Sequence, residues 1–178
     1  QHIDDTILKT MGRRTSEMEI KSLIEKIRNA GDVAIRSTFI VGFPGETDEQ
    51  YQKLYDFIGE YKLNYAGFFA YSKEDGTAAA KLKNQIPQAV KNKRLKNITA
   101  LQSKVIFENN KNYVGKTLKV LYEGIDYDNN IFYGRPEFCA PEVDAKVLFS
   151  SDYLVNVGNF YDVKITGANG YDLVGEVK

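Results

Sequence analysis

The hydrophobic pattern of this chain changes once, near Gly115. Before that point helix-period and strand-period segments alternate; beyond it only strand-like runs remain. Ser16 and Glu19 have the spacing of a capping box, and Ile20, Leu23, Ile24 and Ile27 then mark one apolar helix face. Gly31 is expected to close that helix in the left-handed conformation. VAIRSTFIV (33–41) is nearly continuous in apolar and β-branched residues, as in a parallel strand covered on both faces. Thr47 and Gln50 form a second capping box, followed by Tyr51, Leu54, Tyr55 and Ile58 at helical spacing, and NYAGFFAY (64–71) reads as a second buried strand. Helix, strand, helix, strand implies right-handed βαβ crossovers and a parallel sheet or barrel. Two strands close neither, so this part is expected to be a piece of a larger α/β fold.

After the polar loop SKEDGT, Pro87 suits a helix start, and Val90, Leu95, Ile98, Leu101 and Val105 support a connecting helix to about Asn112. TLKVLYE, IFYGRP, AKVLFS, FYDVKITGA and YDLVGEVK follow, broken by Gly, Asn, Asp and Pro. Five short strands without a helix predict a small, closed, antiparallel β-barrel. The expected domains are 1–112, the end of an α/β barrel with its connecting helix, and 113–178, the β-barrel.

Composition narrows the chemistry. Cys139 is the only cysteine, so an intrachain disulfide and a cysteine-based metal site are both excluded; a small packing residue is the reading preferred for it. One histidine, His2, excludes a multi-histidine metal site and is taken as structural. No apolar run approaches the roughly 20 residues needed to cross a bilayer. The chain opens abruptly at Gln1 with neither Met nor a leader, so further residues upstream are expected. Residues 1–110 hold 17 Lys and Arg against 14 Asp and Glu, net +3, whereas residues 111–178 hold 7 against 10, net −3. The acidic end disfavours a nucleic-acid backbone as its partner and favours a basic protein.

Two segments could carry chemistry. VGFPGE (41–46) follows a strand, on the face where α/β barrels bind ligands; Gly42 and Gly45 permit close backbone approach, and the helix after it offers N–H groups to an anion. Arg36 lies in the strand leading to that loop, where a covered cation requires an anionic partner, either a structural ion pair or a ligand carboxylate. No Ser–His–Asp or Cys–His set, phosphate loop or paired zinc signature is present.

Several segments together resemble the methylthiotransferase family of radical S-adenosylmethionine enzymes: QHIDDTILKTMGRR, RSTFIVGFPGET, YSKEDGTAA and VGKTLKVLYEG, in that order, with the resemblance running through nearly the whole chain. VGKTLKVLYEG is similar to the first strand of the TRAM domain that ends these proteins. Arg36-Ser37-Thr38-Phe39 before the Gly-Phe-Pro-Gly loop resembles the branch acting on a ribosomal protein rather than the tRNA branch, which has Ser-Thr-Asp there. Met11-Gly12-Arg13-Arg14, RPEFCAPEVDAKVLF and the ending YDLVGEV point the same way, although Cys139 and Ala145 stand where Asp and Gly are usual.

This resemblance implies a radical S-adenosylmethionine partial barrel followed by a five-stranded TRAM barrel. It implies an intact enzyme that methylthiolates the β-carbon of an aspartate in the twelfth small-subunit ribosomal protein, in the cytoplasm, with S-adenosylmethionine and two 4Fe-4S clusters. The cysteines that hold both clusters are absent here, so no metal ligand or catalytic residue is expected in this chain, and it should be inactive alone. Gln1, Arg36, Val41, Gly42 and Tyr71 are expected to form the far wall of the cofactor pocket, Arg36 reaching the methionyl carboxylate. Residues 113–178 are expected to bind the ribosomal protein, with tRNA less favoured and no membrane involved. The alternatives are a tRNA adenosine methylthiotransferase of the same family and a non-catalytic TRAM-type binding module.

Overall fold

The computed structural model describes residues 1–177 and contains two compact units, Gln1–Val105 and a second beginning at Ile106. The first holds α1 (Asp5–Thr10), α2 (Glu17–Ala30), β1 (Arg36–Val41), α3 (Asp48–Tyr61), β2 (Tyr65–Ala70) and most of α4 (Gln88–Lys111). The units divide within α4, a little before the domain boundary expected near residue 112. Both capping boxes form: Ser16 with Glu19 opens α2, and Thr47 with Gln50 opens α3. Asp4 caps α1 by accepting from the N–H groups of Thr6 and Ile7. Gly31 ends α2 as expected, but at φ 156° and ψ −176° it is not left-handed helical. It turns the chain directly into an extended path that a side chain would resist.

β1 and β2 pair in parallel, in register from Arg36–Tyr65 to Val41–Ala70. Alternation sends Phe39 and Val41 into a core with Ile24 of α2 and Leu54, Phe57 and Ile58 of α3. Phe39 stacks on Phe68 at 5.7 Å and meets Phe57 edge-on at 6.1 Å. The opposite sheet face, with Thr38, Gly67 and Phe69, is exposed, Phe69 at 63%. Helices cover one face only in this chain, which corrects the expectation of strands covered on both.

The second unit contains β3 (Thr117–Asp126), β4 (Ile131–Pro136), β5 (Val147–Ser150), β6 (Phe160–Asn169) and β7 (Asp172–Val177). They close into a barrel in the order β3-β4-β5-β7-β6. All five expected strands form, but the barrel is not wholly antiparallel: β5 and β7 run parallel. Val120, Tyr122, Val147, Phe149, Val163, Ile165, Leu173 and Val177 fill the interior. At Gly134 an added Cβ would lie 2.2 Å from the Leu121 carbonyl oxygen, and at Gly175 2.6 Å from that of Lys164. These strands coil too tightly for a side chain at either position. Cys139 is buried, in keeping with a packing role.

Candidate functional site

The loop from Gly42 to Glu46 leaves β1 at its C-terminal end, as the sequence implies. It turns through Gly42 at φ 72° and Gly45 at φ 87° and is held by one buried carboxylate and by the Gly45 N–H, which donates to the Asn84 carbonyl at 2.8 Å. Glu46 Oε2 accepts from the Gly42 N–H at 2.7 Å and from Arg94 Nη1 of α4. Glu46 Oε1 lies 3.1 Å from His2 Nε2. His2 Nδ1 accepts the Asp4 N–H at 3.0 Å, so the ring proton sits on Nε2 and is donated to Glu46. Arg94 Nη2 continues to Asp48 Oδ1 at 2.7 Å, and Tyr51 Oη donates to the Arg94 carbonyl at 3.0 Å. Burial, with Tyr55 and Glu46 nearby, pushes the Tyr51 hydroxyl up to about 12, so it remains a donor at neutral pH.

At the end of β2, Lys91 Nζ donates to the Tyr71 carbonyl at 2.8 Å and sits 5.3 Å from the Tyr71 ring centroid. The Tyr71 ring also meets Phe43 edge-on at 5.3 Å, among Ile7, Met11 and Ile40. The Tyr71 hydroxyl is buried and has no hydrogen-bond partner. A buried hydroxyl left in this condition costs free energy that a ligand acceptor would recover.

The five expected site residues fall into two places. Val41, Gly42 and Tyr71 meet at the strand ends, where the Tyr71 N–H donates to the Val41 carbonyl at 2.9 Å. Gln1 and Arg36 both line a groove of about 440 Å³ with Ile20, Ile24 and Phe39. The Gln1 carbonyl also accepts the Ile40 N–H at 2.8 Å, and its side-chain oxygen accepts from Arg13 Nε. Arg36 opens β1 at the end far from Gly42; it is exposed and stacks over the Tyr65 ring at 4.9 Å.

Two features of the loop differ from expectation. The open side of Gly42 is filled by Lys91, whose Cγ would lie 2.3 Å from an added Cβ, so the close approach there is made by the protein. The first turn of α3 is satisfied by its own capping box and carries Asp48 and Glu49, which removes its appeal to an anion. Glu46, Lys91 and Arg94 were not singled out from the sequence. Glu46 lay within the quoted loop motif, whereas Lys91 and Arg94 look like ordinary solvated positions of a Lys-rich helix.

Residues 1–58 match the model of the radical SAM superfamily, and residues 114–177 match that of the TRAM domain. These matches, with the parallel strand pair and the closed barrel, define a radical SAM protein carrying a TRAM domain. More narrowly, the chain is similar over nearly its whole length to proteins of the RimO type. It is 45% identical to ribosomal protein uS12 methylthiotransferase RimO of Alkaliphilus oremlandii, over 99% of this chain and 41% of that protein. The like-named protein of Clostridium acetobutylicum is 44% identical over 99% and 40%, and that of Acetivibrio thermocellus 39% over 99% and 39%. The chain thus spans about two-fifths of the length of the curated relatives it matches.

The superfamily implies S-adenosylmethionine and an iron–sulfur cluster. The residues here do not fit a cluster: there is one cysteine, and among the described residues no three His, Cys, Asp or Glu side chains are grouped to hold a metal. The strand ends place a buried, unpartnered hydroxyl among apolar side chains, a setting that S-adenosylmethionine would suit. No helix among the described residues is long and apolar enough to cross a membrane.

Proposed function

We propose that this chain supplies the far wall of the cofactor pocket and the substrate-holding barrel of a cytoplasmic enzyme that methylthiolates the β-carbon of an aspartate in ribosomal protein uS12. The observation that carries this is similarity at 39–45% identity over 99% of the chain to proteins bearing that name. Tyr71 and the backbone of Val41 and Gly42 border the S-adenosylmethionine, which when bound supplies the hydrogen-abstracting and methyl-donating chemistry. The Glu46–Arg94–His2 network holds the 42–46 loop in one conformation, so that the wall is formed before the cofactor arrives. Arg36, at the other end of β1, has a stacking role rather than the carboxylate contact its sequence position suggests. Both clusters are held by other parts of the intact enzyme, and this chain alone is inactive.

The barrel binds the ribosomal protein in preference to tRNA, in line with its net charge of −3 over residues 111–178, from 7 basic and 10 acidic residues. The intact, cluster-loaded enzyme should be given S-adenosylmethionine, reductant, and equal amounts of uS12 and tRNA. Tandem mass spectrometry is expected to find one methylthio group on an aspartate of uS12 and none on adenosine. Modification of adenosine would establish the tRNA reading instead.

A further inference from the structure

We propose that the β5–β6 loop, Ser151 to Asn159, with Phe160 at the start of β6, is the surface on which the barrel takes its substrate, a basic polypeptide that inserts an apolar side chain. This rests on the preceding proposal that the substrate is a protein. Four large apolar residues crowd this short segment: Leu154 is 94% exposed, Val157 and Phe160 are 64% exposed, and Tyr153 is about half exposed. Isolated exposed apolar residues are ordinary, but a cluster within eight positions is a mark of contact surfaces.

The loop is held in place. The Gly158 N–H donates to the Tyr122 carbonyl and the Tyr122 N–H to the Asn159 carbonyl, both at 2.9 Å. The Asn156 N–H donates to the Tyr161 hydroxyl at 2.8 Å, and the Ser151 hydroxyl donates to the Tyr153 carbonyl at 2.9 Å. A partner therefore meets a loop already held in one conformation and spends little free energy ordering it.

Charge selects the occupant. From Lys146 to Lys164 there is no intervening basic residue, while Asp152 and Asp162 lie between them. The one basic residue opposite in register, Lys119, faces Asp162 across β3 and β6. Tyr153 and Phe160 could stack on nucleic-acid bases, but single-strand binding pairs such platforms with Lys and Arg along the backbone path. Their absence from this segment points to a cationic protein.

The test uses the intact enzyme with purified uS12 and, separately, tRNA as titrants. Leu154→Ser with Val157→Ser is expected to weaken uS12 binding at least tenfold while leaving the melting temperature unchanged. Asp152→Lys with Asp162→Lys should weaken it also and reduce its salt dependence. If wild-type enzyme binds uS12 and both double variants bind it within twofold of wild type, the surface assignment is overturned and the substrate assignment survives. If wild-type enzyme binds tRNA and not uS12, the substrate assignment falls and this occupant with it.

Discussion

Replacing Glu46 with Ala is expected to destabilise the first unit by about 3–5 kcal/mol, the usual cost of removing one partner from a buried ion pair. The substitution strands the Arg94 guanidinium, whose side chain is 7% exposed, and removes the acceptor for the Gly42 N–H and for His2 Nε2. The effect should be local to the 42–46 loop and the helices it ties together. Because the chain has no Trp, amide hydrogen exchange in that loop and in α3 is the suitable readout. Glu46→Gln keeps one acceptor and the shape, and should lose less. Arg94→Met combined with Glu46→Gln should lose less than the sum of the two single changes, since each single change leaves the other group mispaired.

Phe149→Ala is expected to cost a further order-of-magnitude similar amount, about 3–5 kcal/mol, in the second unit. Phe149 is fully buried and meets Tyr122 at 5.7 Å and Phe132 at 5.8 Å. It lies on β5, which has only 4 residues and joins β4 to β7, so little else can close over the cavity. Against a typical domain stability of about 5–15 kcal/mol, the loss is large enough to abolish cooperative melting at moderate temperature. Leu154→Ala serves as the matched control: the residue is almost fully exposed, and its removal should change stability by less than about 0.5 kcal/mol.

These two sites differ in how readily the sequence announces them. Phe149 sits in a run of strand-forming residues, and its burial follows from the period-two alternation that also places Val147 inside. Both capping boxes were equally legible, because four residues of local chain contain the whole interaction. The pairing of β5 with β7 in parallel was not, since it joins segments about two dozen residues apart whose pattern is the same in either direction.

The Glu46 network was hidden for a different reason. α4 buries polar residues: Lys91, Arg94, Gln102 and Asn110 all lie inside, each bonded to another element. Gln102 donates to the Leu63 carbonyl at 3.2 Å, and Asn110 to that of Tyr171 at 2.9 Å. A helix whose inward stripe is partly charged has weak apolar periodicity, and its partners stand far away in sequence; Glu46 and Arg94 are 48 positions apart. The family these segments imply was readable, whereas the exposure of Arg36 was not, since an apolar run does not mark which residue of the strand lies at its open end.

Val41, Gly42 and Tyr71 either border the S-adenosylmethionine or merely cap two strands, and titration of that cofactor into the intact enzyme separates the two. Tyr71→Phe, which deletes only the unsatisfied hydroxyl, should raise the dissociation constant about two- to tenfold, the worth of one hydrogen bond, without lowering stability. Arg36→Ala should leave it unchanged. The reverse pattern, weakened binding on loss of Arg36 and none on loss of the Tyr71 hydroxyl, would place the cofactor at the other end of β1 and contradict the site described.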